Sequence, residues 1–269
     1  PPEEVMLVEQ PPAEVLFLTS AATDLSCLDA LLDHLPEWQE RIRALSLDCL
    51  NHPAQLDHYL ATTASSAQLI LVRLLGSRGH WSYGLEQLQR WQQGGAKRQL
   101  LVLAGTVEQD RELHAIGSVD PALADRLAAL LREGGATNLQ QLLRTIDALL
   151  HGGEPPKATD VVIEPLPDPM PWDWRDDSGP TVGVVLYRAL LQAGDTRLAE
   201  HLAQTLRQRG LRPRLIWVSS LRDLSVQAGV RDLLLSQNAQ VVITATAFAS
   251  VRSEDAGLGS PLWEDLDCP

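Results

Sequence analysis

Apolar residues along this chain alternate between short continuous runs and stretches where they recur every third or fourth position. The runs at 15–19, 42–48, 69–75 and 99–104, each bounded by turn or capping residues, predict buried β-strands. Helices are predicted between them: at 25–34, with Leu25, Leu28, Leu31, Leu32 and Leu35 on one face and Asp24 as cap; at 53–62, opened by Pro53; and at 83–92. Two further helices, 121–132 and 138–150, stop at Gly134-Gly135 and Gly152-Gly153, where glycine supplies a left-handed cap. Strands alternating with helices across short loops imply a parallel sheet covered on both faces.

Residues 154–180 break the pattern with prolines at 155, 156, 165, 167, 169, 171 and 180, beside Trp172 and Trp174. This composition reads as an extended linker, pinned in part by its two indoles. A second alternation follows: strands at 182–187, 214–219 and 241–246, helices at 196–208 and 223–236. The expected architecture is therefore α/β, with two Rossmann-like domains whose parallel sheets are flanked by helices: 1–153, then the linker, then 181–269. The second domain reads as truncated, because the chain runs out after a βαβαβ unit.

Charge and composition narrow the chemistry. The 35 Asp and Glu outnumber 22 Lys and Arg, a net charge of -13. That balance argues against nucleic acid, whose affinity comes largely from clustered cations releasing counterions. The densest basic group, Arg207, Arg209, Arg212 and Arg214, falls at a helix end, where cations complement the dipole. Cys27, Cys49 and Cys268 form neither a disulfide framework nor a CxxC zinc site and fit a reducing, cytoplasmic location. No apolar run approaches the roughly 18 residues of a membrane span, and Pro1-Pro2-Glu3-Glu4 lacks the features of a signal peptide.

Common catalytic signatures are missing from the sequence. Lys97 and Lys157 are the only lysines and neither precedes Ser or Thr, which excludes a P-loop; HExxH, a nucleophile elbow and a Gly-x-Gly-x-x-Gly after a strand do not occur either. His52 and His58, with Cys49, Asp48 and Asp57, are the densest set of possible metal ligands, but their spacing puts the imidazoles on different helix faces, and no metal site is expected. Asp173, Asp176, Asp177, Glu264, Asp265 and Asp267 read as solvated charge runs. His34, His114, His151 and His201 read as structural residues near helix ends.

Two segments remain, both at carboxyl ends of predicted strands, where open α/β sheets bind ligands. Residues 73–86 bring Arg73, His80, Trp81 and Tyr83 together with Gly76, Gly79 and Gly84. Residues 187–196 bring Tyr187 and Arg188 to a long polar turn before a helix, with Ser219-Ser220 and Thr244 to Thr246 at neighbouring strand ends and Asp195 and Ser220 as caps. Arginines pair with carboxylates and aromatic rings offer flat apolar faces. Packing and capping explain many of the same residues.

Three sets of words tip the balance toward a family. Arg73-Leu74-Leu75-Gly76 with Trp81-Ser82-Tyr83-Gly84-Leu85-Glu86, Gly183-Val184-Val185-Leu186-Tyr187-Arg188 through Ala193-Gly194-Asp195-Thr196, and Val218-Ser219-Ser220-Leu221-Arg222-Asp223 with Ala245-Thr246-Ala247-Phe248-Ala249 resemble the large subunit of ATP-dependent cobaltochelatases, which is related to that of magnesium chelatase. Gly134-Gly135-Ala136-Thr137-Asn138-Leu139 is a shorter match. The chain departs from the pattern at His80, where an aromatic residue is expected, and at Ser77, where a second glycine is usual. The likeness runs from about residue 15 onward, and such subunits are several times longer.

The resemblance implies the N-terminal part of a tetrapyrrole-binding subunit. The whole enzyme would insert Co2+, its substrate metal, into the corrinoid hydrogenobyrinic acid a,c-diamide in cobalamin biosynthesis. ATP and Mg2+ would sit on two partner subunits, one of them an AAA+ ATPase, in keeping with the missing P-loop. Catalytic residues are expected outside this stretch, and Arg73, His80, Trp81, Tyr83, Tyr187 and Arg188 are expected to face the substrate. Two alternatives stand beside this: a docking module for the ATPase partners, with exposed Trp172 and Trp174 as anchors, and a magnesium chelatase subunit inserting Mg2+ into protoporphyrin IX. An independent small-molecule enzyme is disfavoured by the incomplete second sheet.

Overall fold

The computed structural model describes residues 5–105 and 111–246, together with 262 and 266. Two compact units emerge, residues 1–164 and 165–269. In the first, β1 (Val15–Thr19), α1 (Ala22–Leu32), α2 (Pro36–Gln39), β2 (Ile42–Ser46), α3 (Pro53–Ala61), β3 (Leu69–Leu74), α4 (Ser82–Gln93) and β4 (Gln99–Ala104) are followed by three helices, α5 (Arg111–His114), α6 (Pro121–Glu133) and α7 (Ala136–His151). The four strands form a parallel sheet in the order β2-β1-β3-β4. Every residue of β1 and β3 is buried, as their unbroken apolar runs require in a sheet covered on both faces.

Side-chain alternation divides the core. Leu69 and Leu71 of β3 pack on the face carrying α1, α6 and α7, whereas Ile70, Val72 and Leu74 pack on the face carrying α3 and α4. The helix after β1 thus covers one face and the helix after β3 the other. This reversal makes the carboxyl ends of β1 and β3 the switch point of the sheet, where the diverging connections leave a crevice.

The second unit repeats the plan. It comprises β5 (Met170–Trp172), β6 (Thr181–Tyr187), α8 (Arg188–Gln192), α9 (Arg197–Gln208), β7 (Arg212–Val218), α10 (Leu224–Ser236) and β8 (Ala239–Ala245). Its sheet runs β5-β7-β6-β8, with β6, β7 and β8 parallel and β5 antiparallel at the edge beside β7. The core of α9 lies on one face and that of α10 on the other, so β6 and β8 flank a second switch point.

Several elements differ from the sequence expectation. The run 42–48 ends as a strand at Ser46 and continues as a 3-10 turn, Leu47–Leu50. Residues 188–192 form α8 rather than a polar turn. The Pro-rich stretch is built into the two units instead of forming an extended linker: Val161 is buried with α6 and α7, and residues 170–172 make a sheet strand. Proline is compatible with that strand because an edge has free hydrogen-bonding positions. Trp172 stacks edge-on against Trp217 at 5.7 Å, and Trp174 Nε1 donates to the Leu215 carbonyl at 2.9 Å. Both indoles are half-buried, so the docking alternative loses the exposed anchors it assumed.

Candidate functional site

The carboxyl edge of the first sheet is built around Arg73. Its backbone pairs with Thr19 across β1 and β3, and alternation points its side chain to the α1 face. There its Nη1 donates to Asp24 Oδ1, while the Thr19 hydroxyl donates to Asp24 Oδ2 at 2.7 Å. Asp24 is therefore not the cap of α1, which begins earlier at Ala22; its carboxylate is drawn inward by a buried cation and a hydroxyl. Burial pushes the Asp24 carboxyl above its ordinary value, and the opposing pull of Arg73 and Thr19 does not fully offset it.

Of the other three expected residues of this edge, Trp81 and Tyr83 lie on the opposite face. The Trp81 indole is buried with Leu74, Leu85 and Leu88, and its Nε1 donates to the Leu50 carbonyl at 3.4 Å. A Cβ on Gly84 would come within 2.2 Å of that ring, so the Trp-x-x-Gly spacing is a packing requirement at the start of α4. Tyr83 reaches the surface and donates to the Asp57 carboxylate of α3 at 2.9 Å, which raises the phenol's pKa. His80 lies over Gly76, with its Nδ1 3.3 Å from Ser77 Oγ. Gly76 has φ +118°, a conformation natural to glycine. The sheet thus separates Arg73 from Trp81, with Tyr83 at the rim of the Trp81 side and His80 exposed in the loop that follows β3.

The second sheet carries a looser counterpart. Because β5 runs antiparallel to β7, the residues entering it lie at the carboxyl edge, beside the end of β7 and the start of α8. Asp168 accepts hydrogen bonds there from the Ser219 backbone N–H at 3.1 Å and from the Ser219 hydroxyl. Arg188 Nη1 stands 3.8 Å from the same carboxylate. Tyr187, the last residue of β6, is half-buried. Neither expected cap operates on its helix: Asp195 sits 3.7 Å from Arg197 Nε, α9 has no side-chain cap, and α10 is capped by Asp223. Residues 247–249 of the third word lie outside the described residues, as do Cys268, Glu264, Asp265 and Asp267.

Asp24, Asp168 and Arg132 are the polar residues of these edges that sequence reading missed. Asp24 carries a misleading cap signal, Asp168 hides among prolines, and Arg132 resembles any last-turn cation. The Asp173 and Asp177 charge run is likewise not merely solvated: Arg207 bonds Asp173 at 2.8 Å and Asp177 at 3.1 Å. Burial works against ionisation of Asp173, but hydrogen bonds from Arg207 and Arg175 hold its carboxyl below the usual range. Arg214 stacks over Trp174 at 5.5 Å, and Arg212 donates to Thr181 and the Gln237 carbonyl, so these guanidiniums are engaged within the unit. His52 caps α3 by accepting from Ala54 N–H. His114 is wholly buried, its Nδ1 2.5 Å from Asp125 and its Nε2 accepting from Ala104 N–H. Among the described residues, no three His, Cys, Asp or Glu side chains converge as a metal site, and no helix is long and apolar enough to cross a membrane.

Two parallel-type α/β units with polar carboxyl edges define the class, and comparison with known proteins supplies the family. Residues 128–269, more than half of the chain, match the family model described as CobN/Magnesium Chelatase, and the chain belongs to that family. It is 33% identical to the aerobic cobaltochelatase subunit CobN of a Sinorhizobium species over 91% of its length, and 30% identical to the subunit of the same name from Pseudomonas aeruginosa over 94%. Those alignments cover 20% and 21% of the relatives, so the chain spans about a fifth of their length. The catalytic subunit of cobaltochelatase from Mycobacterium tuberculosis has the same fold over 95% of this chain and 21% of its own, with a TM-score of 0.66 at 22% identity.

Proposed function

We propose that this chain is an N-terminal part of the tetrapyrrole-binding large subunit of an ATP-dependent cobaltochelatase, serving Co2+ insertion into hydrogenobyrinic acid a,c-diamide in cobalamin biosynthesis. The observation that carries the reading is alignment with two cobaltochelatase subunits across more than nine-tenths of this chain. Co2+ is then the substrate metal of the assembled, cytoplasmic enzyme. ATP and Mg2+ are handled by two partner subunits, one an AAA+ ATPase, consistent with a sequence that offers no P-loop.

Within this reading each carboxyl edge is a substrate-facing surface of its own unit. At the second edge Tyr187 contributes a half-buried flat ring with the buried Arg188 cation beside it, and at the first His80 and Tyr83 contribute polar rims with the buried Arg73 and Trp81 behind them. Metal insertion also needs a group that takes the inner N–H protons and ligands that release the metal; those are assigned to the remaining four-fifths of the subunit. The test is corrinoid affinity of the full-length subunit carrying Arg188→Ala or Arg73→Ala. Weaker binding with an intact fold is expected for Arg188→Ala in particular; unchanged affinity in both variants contradicts the substrate-facing assignment and favours a docking role.

A further inference from the structure

The switch point of the first sheet holds more cationic hydrogen-bonding capacity than its protein partners use. Arg73 is 7% exposed and donates from Nη1 to Asp24, yet among the described residues its buried Nε–H has no acceptor. The Nε edge of a guanidinium is the one that grips carboxylate and phosphate side-on. Arg132, at the last turn of α6, has a buried Nη1 with no acceptor among the described residues; burial first, and the nearby Arg73 cation second, lower its pKa. Leaving two charged donors buried and unmatched costs several times what an ordinary hydrogen bond contributes.

The backbone nearby has the same polarity. Arg132 leads directly into Gly134 and Gly135, whose φ angles of +73° and +83° turn the chain sharply into the sixteen-residue α7. Gly135 is an N-cap without a side-chain bond, so the first-turn N–H groups of α7 keep their partial positive charge at this edge. The turn is tied to the cluster because Cys27 of α1 accepts from the Gly135 backbone and senses the Asp24 carboxylate; burial first, and Asp24 second, push its thiol up to about 11. Asn138 fixes the turn from behind, donating to the carbonyls of Gly134 and Glu164 at 2.8 Å each. Among the described residues, two carboxylates act on the pair, Asp24 bonded to Arg73 and Asp125 through its charge on Arg132.

We propose that this crevice is an oxyanion site, in which a carboxylate or phosphate group is held between Arg73 Nε and Arg132 Nη1 at the amino end of α7. The group belongs to a small ligand, or to a substituent of a larger one, entering at the β1/β3 switch point. The site stands on these buried donors alone, so it survives if the tetrapyrrole reading fails, and its own failure leaves that reading intact.

The test is isothermal titration calorimetry of the 269-residue chain with sodium phosphate and, separately, sodium acetate, at pH 7 and constant ionic strength. One saturable equivalent is expected, and the stronger salt identifies the source as phosphate or carboxylate. Arg132→Gln is expected to weaken binding roughly tenfold or more, the effect of losing one charge-assisted hydrogen bond. Arg132→Lys keeps the charge but loses the planar donor edge and is expected to weaken binding several-fold, which preserves the test if the first variant does not fold. Absence of saturable binding by both anions, or affinity unchanged in the variants, overturns the proposal and leaves the two N–H groups to a buried water.

Discussion

The two sheets share one topological plan, with a middle strand flanked by two parallel partners and a carboxylate–arginine pair at the carboxyl edge, yet the pairs differ in character. Asp24 and Arg73 are 6% and 8% exposed at their side chains and are joined directly; Asp168 and Arg188 are 20% and 10% exposed and stand 3.8 Å apart. In the first sheet the arginine comes from inside a strand and must point into the core. In the second it follows the strand, and the carboxylate comes from a separate edge segment. Both arginines are buried, so the difference between the edges lies in the carboxylate, sealed at Asp24 and partly exposed at Asp168.

The sharpest way to break this comparison is to remove the carboxylates. Asp24→Ala strands the Arg73 cation in the core and is expected to cost about 3–5 kcal/mol in urea unfolding, the usual consequence of breaking a buried ion pair. Asp168→Ala is expected to cost only about 1–2 kcal/mol, because water can replace part of what Ser219 and Arg188 lose. Equal losses would refute the distinction between a sealed and an open edge. Gly84→Ala probes the packing behind the first edge: its methyl would collide with the Trp81 indole, so a loss of about 1–3 kcal/mol is expected. A neutral result would mean that Trp81 is free to move and to meet a ligand.

Acid titration gives the smallest effect and separates the units by sign. The depressed Asp173 carboxyl contributes stability that is fully present above the ordinary carboxyl pKa of about 4 and is lost as pH falls through its lower folded value. Partial exposure and solvent screening keep this below about 1 kcal/mol. Asp24 acts in the opposite direction: its folded pKa is raised, so its contribution grows as pH falls through that value toward the unfolded one. Asp173→Asn is expected to flatten the acid loss of stability, and Asp24→Asn to steepen it. If both variants move the profile the same way, the assigned environments are wrong.

What could be read from the sequence follows the range of the interactions involved. Strands β1, β3, β4 and β6 announce themselves because both faces are buried and their apolar runs are local. Strand β5 does not: Met170-Pro171-Trp172 carries a strand-breaking residue, and only its place beside β7 makes it a strand. The edge positions of Arg73, Tyr187 and Arg188 were legible because strand ends are. The role of Asp24 was not, since its partner lies 49 residues away and the local signal is that of a cap. Similarly, Trp81 and Gly84 read as a ligand-facing word, while the close approach of indole to glycine makes them a packing unit.

The most direct test of the account is a fluorescence titration of this chain with hydrogenobyrinic acid a,c-diamide. Trp217 is fully buried in β7, with its backbone paired to Leu186 beside Tyr187 and Arg188, and Trp81 underlies the other edge. Saturable quenching that weakens in Arg188→Ala is the predicted result. A folded chain whose emission is untouched by the corrinoid would contradict the proposal that these edges belong to the tetrapyrrole site.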